Sequence, residues 1–401
     1  MEFEAELIPA GGITTPCGFL AGATSAGIKY PRGTRLDLAI LASTAPCRAA
    51  GVFTANKVKA APVLLCQERL HQGRPCAVVV NSGCANASIG QQGMTDAIEM
   101  TEIAAAHIGK KPAEVLVAST GVIGMPLAMD RIRAAIPEIK LTAEGGRDLA
   151  RAIMTTDTVP KEVAVRAGGF TIGGAAKGSG MIHPDLATLL CFLTTDAKIG
   201  ADFLREALQE AADVSFNMVS IDGDTSTNDT VLVLANGQAG GGTISKNSPQ
   251  APVFQNTLNR ACIHLARAIA RDGEGATRLI EVRVTGAASL ADARSAARTI
   301  VSSPLVKTAV HGCDPNWGRV LAAAGRSGAA LDPDRLELHI GGIRLVKGGS
   351  PVQFPVEEVV KHLGGTDVNI NLNLNVGSAE AVAWGCDLSE EYVKINSEYT
   401  T

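Results

Sequence analysis

Short apolar runs alternate with longer stretches of helical periodicity along this chain. Cys76–Asn81 (CAVVVN) predicts a buried strand ending in a polar turn, Asn81-Ser82-Gly83. Val115–Ala118 predicts a second short strand that enters the turn Ser119-Thr120-Gly121. Val231–Ala235 and Leu279–Val284 are β-branched or Leu-rich and read as strands. Val368–Leu374 (VNINLNL) alternates apolar residues with Asn, the pattern of a half-buried strand.

Helical spacing marks three segments. Over Met94–His107, Ile98, Ile103 and Ala106 fall on one side. Over Ala201–Val214, Phe203, Leu204, Leu208 and Ala211 form an apolar stripe. Over Pro252–Arg271 the stripe is Phe254, Leu258, Cys262, Leu265 and Ile269, with Pro252 suited to the first turn. Strands alternating with long helices predict an α/β protein of stacked layers, without a simple parallel Rossmann pattern.

Composition narrows the function classes. Of 401 residues, 46% are apolar and 19% charged, so a large core can be buried. Aromatics are 3%, leaving Ala, Val, Leu and Ile to build it. The net charge of −4, with no basic run interleaved with aromatics, argues against nucleic acid and membrane partners. No run reaches the roughly 18 apolar residues needed to span a bilayer. The acidic start, MEFEAELIPAGG, lacks a signal-peptide pattern, and a cytosolic protein is expected. Nine dispersed cysteines form no CxxC and have no zinc spacing with histidines. Reduced, mostly buried thiols are expected, with no metal site and no cofactor.

Several polar segments interrupt the pattern. Gly173–Gly180 (GGAAKGSG) reads as a glycine-rich loop, but Ala176 and Gly178 flank Lys177 where a phosphate loop needs Gly and Ser/Thr. Ser119-Thr120-Gly121 offers a hydroxyl and a glycine N–H able to face an oxyanion. It is also ordinary turn chemistry. Asp222–Thr230 (DGDTSTNDT) lacks the last-position glutamate of a calcium loop and reads as a web of side-chain-to-backbone bonds. After the Pro252–Arg271 helix, Gly273 suits a left-handed C-cap, while Glu274 has no structural reason of its own. Cys313–Arg319 (CDPNWGR) puts Trp317 in a turn. Thr188 sits at the edge of the apolar run Leu189–Leu193. Together these supply a hydroxyl nucleophile, oxyanion donors, a cation and an anion, the parts of an acyl-transfer site.

The segment Lys177–Ala197, KGSGMIHPDLATLLCFLTTDA, resembles the ornithine acetyltransferases (glutamate N-acetyltransferases) of arginine biosynthesis. Further matching motifs run in order along the chain: Gly18–Gly22, Phe53–Asn56, Asn81–Gly83, Ser119–Gly124, Met154–Thr158, Asp222–Thr230, Gly273–Thr277, Asp314–Arg319 and Ile395–Thr401. The resemblance implies a self-cleaving, threonine-nucleophile sandwich of sheets covered by helices. Cleavage would fall between Ala187 and Thr188, giving an α chain of 1–187 and a β chain of 188–401.

The implied reaction is ping-pong: Thr188 takes acetyl from N-acetylornithine and passes it to glutamate. Thr120 and Gly121 would stabilise the oxyanion. Thr155, Lys177, Thr188, Glu274, Asn396 and Thr401 would bind substrate. No cofactor is implied, acetyl-CoA is left open as a second acyl donor, and the expected assembly is two α and two β chains. Departures are Leu186 and Leu189 where the family often has Met, and Cys84 where it often has Asn. The alternative reading is a self-cleaving amidohydrolase or aminopeptidase of related architecture, which passes the acyl group to water.

Overall fold

The computed structural model describes residues 5–72, 74–183 and 189–398. Three sheets and the helices between them build the layers expected from the pattern. The central sheet has six strands, in the order Glu6–Leu7, Lys161–Ala167, Phe170–Lys177, Leu190–Thr195, Thr230–Ala235 and Arg48–Phe53. Leu190–Thr195 and Thr230–Ala235 are buried at every position, because both faces of this sheet are covered. Val163, Val165, Ile172, Cys191, Leu193, Val231 and Val233 pack towards the helices Ala201–Asp213 and Ala251–Arg271. Beyond those helices lies a seven-stranded sheet containing Leu279–Ala287 and Asp367–Asn373.

The opposite face of the central sheet, including Phe192, Leu232 and Leu234, shares a second core with a four-stranded sheet. That sheet is ordered Phe19–Thr24, Leu38–Ser43, Ala77–Cys84, Val115–Val122. Helix Ala251–Arg271 buries all five residues of its expected stripe. In Asp367–Asn373, Val368, Ile370 and Leu372 face inward and the asparagines do not.

Two expectations fail for physical reasons. Helix Gln91–Ile108 buries Ala97, Met100, Thr101, Ala104 and Ala105 and leaves Ile98 37% exposed, so the Ile98–Ile103–Ala106 side is the wrong face. Small residues let this helix come close to its neighbours, and a pattern weighted by large apolar side chains misses that. Trp317 is not in a turn. It opens helix Trp317–Gly325, capped by the Asn316 side chain accepting from the Arg319 N–H. Among the described residues no helix is long and apolar enough to cross a membrane.

Candidate active site

A cleft open to solvent gathers Thr120, Gly121, Thr155, Lys177, Glu274 and Asn396 from five separate parts of the chain. These are all the expected site residues that fall within the described chain. Ala187, Thr188 and Thr401 lie outside the described residues.

The wall bearing Thr120 and Gly121 is strand, not turn. Val115–Val122 runs parallel to Ala77–Cys84 with Asn81 opposite Ser119, Ser82 opposite Thr120 and Gly83 opposite Gly121. The polar triplets at the two strand ends pair with each other, so their turn chemistry is overridden. The register shifts at Gly83/Cys84, and Gly121 takes φ +132°. A Cβ at Gly121 would stand 2.3 Å from the Gly83 carbonyl carbon, so the position is closed to any side chain. Cys84 is buried behind this wall, its thiol donating to the Met125 carbonyl at 3.2 Å, and burial pushes that thiol up. It does not line the cleft.

The loop 222–229 is the web of side-chain bonds that its composition suggests. The Asn228 amide donates to the carbonyls of Ala85 at 2.6 Å and Ser119 at 2.8 Å. Asp229 Oδ1 accepts from the Leu189 N–H at 3.1 Å, pinning the chain immediately after Thr188. Asp229 Oδ2 has no hydrogen-bond partner among the described residues. Burial pushes this carboxyl well above the usual range, against the opposing pull of Lys177 and the Leu189 N–H. Asp222 accepts from the N–H groups of Met181 and Ile182 at 2.5 and 2.8 Å.

Lys177 is the last residue of strand Phe170–Lys177, so the segment read as a glycine-rich loop is largely β-structure. Gly173 fits because a Cβ there would meet the Gly12 carbonyl oxygen at 2.3 Å. Lys177 is 3% exposed, and its ammonium lies 3.4 Å from the Thr155 hydroxyl. Burial lowers its pKa from the ordinary lysine value, and Asp157, Asp229 and Glu274 oppose the shift.

Glu274 is 8% exposed. Its N–H donates to the Ser179 carbonyl at 2.7 Å, and its carboxylate accepts from the Asn396 amide at 2.8 Å. Asn396 and Tyr392 are four apart on helix Glu390–Glu398, so both reach the cleft. Gly180 makes room for the carboxylate, since a Cβ there would lie 2.5 Å from the Glu274 carboxyl carbon. Gly273 is not a left-handed cap: a Cβ at Gly273 would meet the Cys386 sulfur at 2.6 Å.

Sequence reasoning missed the buried charges beneath this surface. Lys161 bonds Asp157 and Asp272, each at 2.6 Å. Burial alone would raise the Asp157 pKa, but Lys161, Lys177 and the Gly178 N–H hold it below the ordinary value. A lysine opens the strand Lys161–Ala167 (KEVAVRA), and nothing in that local pattern marks it for burial. Among the described residues no cluster of His, Cys, Asp or Glu has the makings of a metal site. The cleft is thus lined by a buried lysine and a buried glutamate together with hydroxyl and amide side chains, a set of charges complementary to a small zwitterion.

Comparison with known proteins agrees with the motifs. A family model described as the ArgJ family matches residues 20–401. "Arginine biosynthesis bifunctional protein ArgJ" of Dehalococcoides mccartyi is 54% identical, with 100% of both chains covered. The protein of the same name from Bacillus subtilis is 45% identical over 98% of this chain and 97% of its own. The crystal structure of arginine biosynthesis bifunctional protein ArgJ from Bacillus halodurans is 45% identical, with a TM-score of 0.50, covering 51% of this chain and 97% of that one. This chain belongs to the ArgJ family.

Proposed function

We propose that the chain catalyses ping-pong acetyl transfer from N-acetylornithine to glutamate, after cleaving itself between Ala187 and Thr188. The observation that carries the reading is the convergence of Thr120, Gly121, Thr155, Lys177, Glu274 and Asn396 on one cleft. Full-length similarity to proteins named for arginine biosynthesis supports it.

Maturation begins when the Thr188 hydroxyl attacks the Ala187 carbonyl carbon and its proton passes to the departing nitrogen. That shift frees the Thr188 α-amine, and water then hydrolyses the ester, leaving the Ala187 carboxylate and restoring the Thr188 hydroxyl. That amine is the base an alcohol otherwise lacks near neutral pH. The Bacillus halodurans chain, matched over 97% of itself but 51% of this one, supports a relative made of separate halves.

In catalysis the Thr188 hydroxyl attacks the acetyl carbonyl and its proton moves to the α-amine. Thr120 and the Gly121 N–H stabilise the tetrahedral oxyanion, an effect of about 10²–10³ in rate per donor. Collapse returns the proton to the leaving nitrogen, releases ornithine and leaves acetyl on Thr188. The amine of glutamate then attacks the ester carbonyl, the bond from the acetyl carbon to the Thr188 oxygen breaks, and the proton lost by the amine passes through the α-amine to restore the Thr188 hydroxyl as N-acetylglutamate leaves. Lys177 holds the α-carboxylate, helped by Thr155. Glu274, oriented by Asn396, holds the ornithine ammonium, and by the family resemblance Thr401 also contributes to substrate binding. Acetyl-CoA serves as the second donor, a reading supported by the word bifunctional in the relatives' names. The mature protein works in the cytoplasm as two α and two β chains, without cofactor.

Ornithine release from N-acetylornithine, measured with and without glutamate, tests the reading. Strong dependence on glutamate supports transfer. Equal rates in both arms mean water is the acceptor and the protein is an amidohydrolase.

A further inference from the structure

We propose that Lys161 is a positioning residue that fixes the spacing between Lys177 and Glu274, and so selects the length of amino acid that bridges them. This inference rests on the acyl-transfer reading above and names what sets its substrate class.

Lys177 ends a strand of the central sheet, while Glu274 follows helix Ala251–Arg271. One backbone bond joins the two segments, the Glu274 N–H donating to the Ser179 carbonyl at 2.7 Å, and a chain of buried polar contacts braces them from beneath. Asp157 Oδ1 accepts from the N–H of Gly178, next to Lys177, at 2.7 Å. The same oxygen takes Lys161 Nζ at 2.6 Å, while Asp157 Oδ2 accepts from the Thr155 N–H at 3.0 Å. Lys161 Nζ also reaches Asp272 Oδ2 at 2.6 Å, two residues before Glu274, and the Val159 carbonyl at 3.4 Å. Asp272 accepts in turn from the N–H and hydroxyl of Thr158. All three donor directions of the ammonium are thereby used.

The side chains of Lys161, Asp157 and Asp272 are 1%, 0% and 8% exposed. A buried ion network of this kind is seldom more stabilising than apolar residues of the same volume, and its better-attested use is to fix geometry. Here the geometry fixed is that of the two substrate anchors. Lys161 does not line the cleft, so its effect passes through Asp157 and Asp272.

The test uses full-length, self-processed enzyme and three donors: N-acetylornithine and the N-acetylated diamino acids one methylene shorter and one longer. The readout is the ratio of kcat/KM between lengths, which a merely structural role leaves alone. Wild type prefers one length. Lys161→Met narrows that preference by about tenfold, the scale on which a site discriminates one methylene. Asp272→Asn, which keeps an acceptor for Thr158, shifts the ratio the same way by less, and serves if Lys161→Met does not yield soluble protein. A soluble variant that loses activity equally for all three lengths overturns the proposal. Wild type that releases no ornithine overturns instead the reading on which it rests.

Discussion

Asp229 accepts the backbone N–H of Leu189 at 3.1 Å. Its neighbour Asn228 donates to the carbonyls of Ala85 and Ser119. One dipeptide therefore braces both the strand end carrying Thr120 and Gly121 and the first described residue after Thr188. Nucleophile and oxyanion donors have to be held to a fraction of an ångström, which a shared brace accomplishes.

Asp229→Ala leaves the Leu189 N–H buried without its acceptor, at a cost of about 1–3 kcal/mol. We expect a lower thermal midpoint and slower conversion of the precursor to two bands on a denaturing gel. Asp229→Asn keeps an acceptor oxygen and is expected to lose far less. Identical behaviour of the two variants would mean that the brace does not act through this bond.

Thr120→Val preserves shape and removes the hydroxyl. Steady-state kinetics should show kcat down by about 10²–10³ with KM nearly unchanged, the mark of an interaction made only in the transition state. A rise in KM at constant kcat would instead make Thr120 a ground-state contact.

Gly180→Ala places a methyl against the Glu274 carboxylate, where the Cβ would lie 2.5 Å from the carboxyl carbon. The carboxylate must move, and we expect kcat/KM for N-acetylornithine to fall about tenfold or more. Acetyl transfer to glutamate from a donor without the side-chain ammonium should suffer less, and equal losses would remove Glu274 from ammonium binding.

Lys177 is charged below its pKa, and burial lowers that pKa from the ordinary 10.5. Its hold on a carboxylate is thus fully present at lower pH and is lost, as pH rises, earlier than for an exposed lysine. KM should rise along an alkaline limb below pH 10.5, and Lys177→Arg should abolish that limb, because guanidinium stays charged. The same limb persisting in Lys177→Arg would assign it to another group.

Elements with a one-sided pattern were legible in the sequence. Ala251–Arg271 and Asp367–Asn373 bury the expected residues, because large apolar side chains at a fixed period leave one way to pack. Where the outcome depends on a neighbour, the sequence misled. Ser119–Gly121 reads as a turn by composition and is strand because Asn81–Gly83 lies alongside. Gly273 reads as a cap and is small because the Cys386 sulfur abuts it. The residues lining the cleft were marked by motifs in the sequence, Lys177 and Glu274 among them. The Asp157–Lys161–Asp272 network beneath was not, since no local pattern marks a charge that will be buried.

The central claim is that acetyl passes through Thr188, and intact-mass and peptide mass spectrometry test it most directly. Enzyme incubated with N-acetylornithine alone should yield a β chain beginning at Thr188 and carrying one acetyl on that residue. Added glutamate should remove the acetyl as N-acetylglutamate. An uncleaved chain that still transfers acetyl, or an acetyl group found on another residue, would contradict the account.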